Sequence, residues 1–222
     1  MRLAGAEIRA VFFDLDGTLV DSAPDMIAAM RRLRAQRGES EIDLAAVGAV
    51  VSKGGRAMLR KGFPGADEAT IDTLLPRFLD LYAEAIATHT RTFPGIDALL
   101  DALEERGVAW GIVTNKPGWL ARALVAELTL AHRCAALVSG DCLPQRKPDP
   151  APLLHACTLA RVEAGHCIYV GDDARDIEAG QRAGMRTIAV SWGYLDGEDP
   201  QDWGADRVIA APHELLATIG LA

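Results

Sequence analysis

Residues 8–14 read Ile8-Arg9-Ala10-Val11-Phe12-Phe13-Asp14, and the chain continues Leu15-Asp16-Gly17-Thr18-Leu19. A short apolar run that ends in a carboxylate and a glycine turn has the character of a buried strand opening into a loop. The pattern returns at 108–114 (VAWGIVT), 135–138 (AALV), 167–171 (CIYVG) and 186–191 (RTIAVS). These runs are continuous rather than alternating, which predicts a parallel sheet covered on both faces. Helical patterns lie between them, at 96–106, 117–128, 150–160 and 174–184. Pro117 and Pro152 sit where a first helical turn accepts proline. Gly107 and Gly184 follow their helices as C-terminal caps. Alternating strand and helix imply right-handed crossovers and an α/β, Rossmann-like doubly wound sheet.

One stretch breaks the alternation. From about 22 to 90 only helical patterns occur. Ser22-x-x-Asp25 has the form of a helix-start box, and Met26, Ile27, Met30 and Leu33 follow on one apolar face. Ile71, Leu74, Leu75, Phe78 and Tyr82 make another, in which Pro76 either kinks the helix or marks its start. A helical block after the first strand of a parallel sheet reads as an inserted all-helical cap domain. The expected division is a catalytic core at 1–20 and 91–222 with a cap at 21–90. The expected hinges lie near Val20–Ser22 and Thr88–Pro94.

Composition narrows the function. Half of the 222 residues are hydrophobic, enough for a sizeable core. Net charge is −8, from 31 acidic and 23 basic residues, with no basic block, which disfavours a nucleic-acid partner. No stretch approaches the ~20 apolar residues of a membrane span, and no signal-length apolar run precedes Asp14. The expected compartment is the cytoplasm; nothing in the sequence fixes an oligomeric state. Cys134, Cys142, Cys157 and Cys167 form no C-x-x-C pair, and the histidines form no H-E-x-x-H. Neither a zinc site nor a disulfide framework is expected.

The chemistry gathers at strand ends, where open α/β sheets bind ligands. Asp14 and Asp16 are spaced to serve as nucleophile and acid/base, and the turn at Gly17 and Thr18 offers N–H groups to phosphate. The alternative is an ordinary Asp-Gly turn. Thr114 and Asn115 before a helix can seat a phosphate or merely cap that helix. Pro148 keeps Lys147 extended, so that its side chain has a defined direction. Gly171-Asp172-Asp173-Ala174-Arg175-Asp176 again places acids at a strand-to-helix turn, where they also stabilise the helix. Each cluster alone has a bland reading; all four at one sheet edge do not. Asp14, Asp16 and Asp172 carry −3 if ionised, and a phosphomonoester adds about −1.5 to −2. Lys147 offsets one charge, so a cation is needed, and hard oxygen donors without His or Cys point to Mg²⁺.

Asp14–Leu19 (D-x-D-G-T-L), Thr114, Lys147 and Gly171–Asp176 (G-D-x-x-x-D) resemble, in order, the four motifs of the haloacid dehalogenase-like hydrolases. The helical block sits where the subfamily with a helical cap carries it. The resemblance implies a phosphomonoester hydrolase in which Asp14 takes the phosphoryl group and Asp16 protonates the leaving alcohol, then activates water. Thr114, Asn115 and Lys147 would bind the phosphoryl group. Asp14, the Asp16 carbonyl and Asp172 would hold Mg²⁺, supported by Asp173 and Asp176. Asp16 argues against dehalogenases and phosphonatases, and Met26 stands where sugar phosphomutases of the group carry a histidine.

The run Thr18–Asp25 resembles phosphoglycolate phosphatases. Val51–Met58, Trp110–Pro117, Gly171–Gly180 and Trp192-Gly193-Tyr194 resemble N-acetylmuramic acid 6-phosphate phosphatases. Both substrates are small carboxylated phosphomonoesters. Ser52, Lys53 and Arg56 would form a specificity loop, with Lys53 or Arg56 pairing with the carboxylate; the alternative is a polar turn between helices. A sugar phosphomutase and a non-catalytic phosphate-binding protein are the competing functions.

Overall fold

The computed structural model describes residues 7–41 and 43–220. The chain opens with β1 (Ala10–Phe13) and β2 (Val20–Asp21), followed by the helices α1 (Ala23–Gln36), α2 (Ala45–Gly48), α3 (Gly55–Gly62) and α4 (Glu68–Ala83). It returns through β3 (Arg91–Thr92) and then alternates: α5 (Ile96–Glu105), β4 (Ala109–Val113), α6 (Gly118–Glu127), β5 (Leu137–Val138), α7 (Ala151–Ala160), β6 (Cys167–Gly171), α8 (Ala174–Arg182) and β7 (Arg186–Val190). The last elements are β8 (Arg207–Ile209) and α9 (His213–Ile219).

Six strands form one parallel sheet in the order β5-β4-β1-β6-β7-β8. The expected doubly wound α/β fold is therefore present, extended by β8 and α9, which the sequence patterns do not mark. Side chains alternate across β1. Val11 and Phe13 enter one buried cluster with α5 and α6, while Ala10 and Phe12 enter a second with Leu153, Ala156 and Tyr169. Both faces of the central strand are thus apolar, which is why its sequence does not alternate.

Register carries the function. Phe13 pairs with Ile112 on one side and Val170 on the other. The residues that follow, Asp14, Val113-Thr114 and Gly171-Asp172, therefore emerge together at one sheet edge. The helical insertion leaves and returns beside this edge. Its two crossings are joined as β2 and β3, antiparallel, with Val20 opposite Thr92 and Asp21 opposite Arg91.

The helix-start box at Ser22 and Asp25 is not formed. Ser22 flanks α1 without capping it, because its hydroxyl donates to Asp16 at 2.5 Å. Asp25 is buried and accepts instead from the N–H groups of His89 and Thr90 and from the Thr90 hydroxyl, all within 3.0 Å. The acid that looked like a helix start ties the outgoing chain to the returning one. Helix α4 begins at Glu68, capped by Asp67, and runs through Pro76, which therefore does not mark its start. Pro117 stands just before α6 rather than in its first turn. No helix among the described residues is long and apolar enough to cross a membrane.

Candidate active site

Asp14 lies at the base of a cavity of about 380 Å³ between the sheet edge and the insertion. Lys147 reaches it from the loop after β5, with Nζ 2.8 Å from Asp14 Oδ1 and 2.7 Å from Asp176 Oδ1. Nζ also donates to the Tyr169 hydroxyl, which itself donates to the Val113 carbonyl. Burial alone would lower the Lys147 pKa; the charges of Asp14 and Asp176 outweigh it and hold the ammonium above its ordinary value. The cation is thus fixed, charged and dry beside the proposed nucleophile's position.

Asp172 is buried on the other side. Thr18 Oγ1 donates to its Oδ1 at 3.0 Å, and the Tyr194 N–H donates to its Oδ2 at 2.9 Å. Burial, joined by the charges of Asp14 and Asp176, pushes Asp172 up to about 8. Burial likewise pushes Asp176 up to about 7, against the pull of Lys147. Carboxylate oxygens of Asp14, Asp172 and Asp176 lie within 4.8 Å of one another. This set has more negative charge than Lys147 can balance and only hard oxygen donors, so it fits a divalent cation.

The donor set differs from the expected one in a specific way. Asp176 stands in the carboxylate cluster, while the Asp16 carboxylate points elsewhere. The Asp16 carbonyl, however, is linked to Asp172 through one hydroxyl: Ser52 Oγ lies 3.1 Å from that carbonyl and 2.6 Å from Asp172 Oδ2. Gly17 makes the approach possible. Its φ is +88°, and a Cβ there would sit 2.1 Å from Asp172 Oδ2.

The Asp16 carboxylate meets Lys116, which the sequence reading had passed over. Lys116 Nζ lies 2.9 and 3.1 Å from the two Asp16 oxygens and 3.1 Å from the Tyr82 hydroxyl on α4. It stands 4.5 Å from the Tyr82 ring centroid. Burial would lower the Lys116 pKa, but Asp16 and Tyr82 together raise it. Burial pushes the Tyr82 phenol up to about 12, so it stays protonated.

Several of the expected phosphate ligands also make bonds within the protein. The Gly17 N–H donates to the Val20 carbonyl, closing the turn. Thr18 is fully buried against Asp172. The Asn115 side chain lines the cavity, donates to the Lys147 carbonyl and accepts from its N–H, so it also holds Lys147. Thr114 lines the cavity, and its hydroxyl oxygen accepts from the Lys116 N–H.

The expected specificity loop is also engaged. Ser52 meets the Asp16 carbonyl and Asp172, as above. Lys53 pairs with Asp196 and Glu198, both at 2.8 Å, on the segment after β7. Arg56 pairs with Asp72 and Glu68 within the insertion. Asp173 caps α8 in a reciprocal box with Asp176. Burial would raise the Asp173 pKa, but the Arg175 guanidinium holds it below the ordinary range. Arg175 also donates to the Ser52 carbonyl at 2.8 Å, tying insertion to core.

Tyr82, Tyr194 and Lys116 have parts in the site that the sequence does not assign to them. Tyr194 contributes its N–H to Asp172, and its hydroxyl bridges Asp21 and the Ala23 N–H at the crossing into the insertion. A pattern could have marked Lys116: Lys116-Pro117 repeats the lysine-proline pair that singled out Lys147-Pro148.

Residues 11–190 match the family model described as haloacid dehalogenase-like hydrolase. A protein of Xanthomonas campestris named phosphoglycolate phosphatase is 48% identical over 208 residues, covering 93% of this chain and 94% of its own. A Pseudomonas aeruginosa protein named N-acetylmuramic acid 6-phosphate phosphatase is 42% identical over 217 residues, covering 97% and 96%. A crystal structure of a predicted phosphoglycolate phosphatase from Haemophilus somnus superposes with a TM-score of 0.85 at 22% identity, over 96% of this chain and 99% of that one, a likeness of fold. With the family model spanning most of the sequence and phosphatase relatives aligned nearly end to end, the chain belongs to the haloacid dehalogenase-like hydrolases.

Proposed function

We propose that this chain is a Mg²⁺-dependent phosphatase that cleaves small carboxylated phosphomonoesters of the 2-phosphoglycolate or N-acetylmuramic acid 6-phosphate type. The observation that carries the reading is the Asp14–Lys147–Asp176 array at the cavity base, next to buried Asp172. An Asp14 oxygen attacks phosphorus while the ester P–O bond breaks, and Asp16 gives its proton to the departing oxygen. Asp16, now ionised, takes a proton from water as that water attacks the aspartyl-phosphate. Orthophosphate leaves, and the Asp14 carboxylate and protonated Asp16 are restored. Lys147 and the Thr114 hydroxyl bind the phosphoryl oxygens through both steps; Asn115 keeps Lys147 in place.

Asp14, Asp172 and the Asp16 carbonyl would hold Mg²⁺, which when bound neutralises charge on the phosphoryl group. Thr18 and Tyr194 orient Asp172 for that task. The insertion acts as a cap: the contacts of Ser52, Lys53 and Tyr82 with the core close the cavity against water. The relatives' names support the two substrate types.

The test is phosphate release from p-nitrophenyl phosphate with Mg²⁺ or with EDTA, followed by a panel that includes both named substrates, ranked by kcat/KM. Metal-dependent release with preference for a carboxylated ester is expected. Absence of metal-dependent release would overturn the proposal.

A further inference from the structure

All but one of the cations around the cavity can be followed to a partner. Lys147 serves Asp14 and Asp176; Arg175 serves Asp173 and the Ser52 carbonyl. Lys53 is held by two acids of the core, Arg56 by two of the insertion. Arg146 is exposed at the rim. Lys116 differs from all of these. It is buried, lines the cavity, and has as its acidic partner the proposed acid/base itself, Asp16.

We propose that Lys116 is the specificity-determining cation, which binds a substrate carboxylate attached one carbon from the ester oxygen. The inference rests on the phosphatase reading above. Asp16 must reach the ester oxygen to protonate it, and the Lys116 ammonium touches both Asp16 oxygens. A carboxylate joined to the ester oxygen through a single CH₂ therefore arrives at the ammonium when the ester oxygen arrives at Asp16. A carboxylate separated from that oxygen by a sugar ring does not. Tyr82 fixes the ammonium from the insertion side: its hydroxyl accepts from Nζ and its ring packs beside it. The insertion thus contributes to carboxylate recognition through Tyr82 acting on Lys116, not through Lys53 or Arg56. A flexible ammonium with three donors can keep one bond to Asp16 while turning another toward the substrate.

The experiment compares 2-phosphoglycolate with ethyl phosphate, as kcat and KM, in the Mg²⁺-loaded wild type and in Lys116→Met, Lys116→Arg, Lys53→Ala and Arg56→Ala. Calorimetric binding of 3-phosphonopropionate against propylphosphonate gives a readout independent of turnover. Wild type should favour the carboxylated member of each pair. Lys116→Met should lose roughly tenfold to a hundredfold of that preference, mostly through KM, as expected for a lost charge-assisted hydrogen bond. Lys116→Arg should retain part of it, and Lys53→Ala and Arg56→Ala nearly all. Preference kept in Lys116→Met, or lost in Arg56→Ala instead, overturns the assignment. Wild type that cleaves both esters equally, or binds both phosphonates equally, also overturns it while leaving the phosphatase standing. Wild type that cleaves no phosphate ester overturns the underlying function.

Discussion

Asn115 grips the peptide group of Lys147 from both sides, donating to its carbonyl at 3.0 Å and accepting from its N–H at 3.1 Å. The amide therefore fixes where the Lys147 side chain starts, and the bonds to Asp14, Asp176 and Tyr169 fix where it ends. Asn115→Ala should remove two hydrogen bonds and destabilise the fold by about 1–2 kcal/mol. It should lower kcat on p-nitrophenyl phosphate by roughly tenfold to a hundredfold, as a misplaced catalytic group does. Urea unfolding and steady-state kinetics measure the two effects. An unchanged kcat would show that Lys147 needs no such support.

The pH dependence of stability should run opposite to that set by carboxylates whose pKa the folded state lowers. Asp172 is pushed up to about 8 and Asp176 up to about 7, whereas an aspartate in the unfolded chain titrates near 3.9. Between these values the folded state binds more protons than the unfolded one, so stability falls as pH rises. In EDTA, Tm should drop from pH 5 to pH 8, and Asp172→Asn should flatten the slope. Mg²⁺ at pH 8 should restore Tm and release protons, seen as a calorimetric heat that varies with the buffer. A Tm in EDTA that rises between pH 5 and pH 8 would contradict the charge balance described for the site.

Asp25 joins the two crossings between core and insertion through a buried carboxylate with three donor groups. Asp25→Ala should cost roughly 2–4 kcal/mol by leaving buried donors without an acceptor. Asp25→Asn keeps one acceptor oxygen and should cost less. Urea denaturation of both variants tests the order. Equal losses would mean that the size of the side chain matters more than its hydrogen bonds.

The sequence carried the sheet because β1, β4, β6 and β7 are buried on both faces, and continuous apolar runs say so directly. It did not carry β8, whose Arg207-Val208-Ile209 is short and only partly buried, nor the two-residue pairing of β2 with β3. Asp14, Lys147 and Asp172 were legible because each ends or follows a strand of that sheet, and register brings them together. Thr18, Asn115 and Ser52 were legible as polar residues in the right loops, but not as to what they touch. That depends on side-chain directions set by partners far away in the chain: Asp172 for Thr18, Lys147 for Asn115. Lys116 and Tyr82 were harder still. Lys116 stands in the sequence only as part of the stretch Trp110–Pro117, and Tyr82 as one more position on the apolar face of α4; only packing the insertion onto the core makes them a pair.

The central claim is that Asp14 carries the phosphoryl group. The direct measurement is to quench the enzyme in acid during turnover of a phosphate ester, reduce with borohydride and sequence the peptides by mass spectrometry. An aspartyl-phosphate is converted to homoserine by this treatment, so the account predicts homoserine at position 14, absent without substrate. Homoserine at another acid, or unmodified Asp14 in Asp16→Asn quenched during reaction with p-nitrophenyl phosphate, whose leaving group needs no acid and whose dephosphorylation is slowed in this variant, would contradict it.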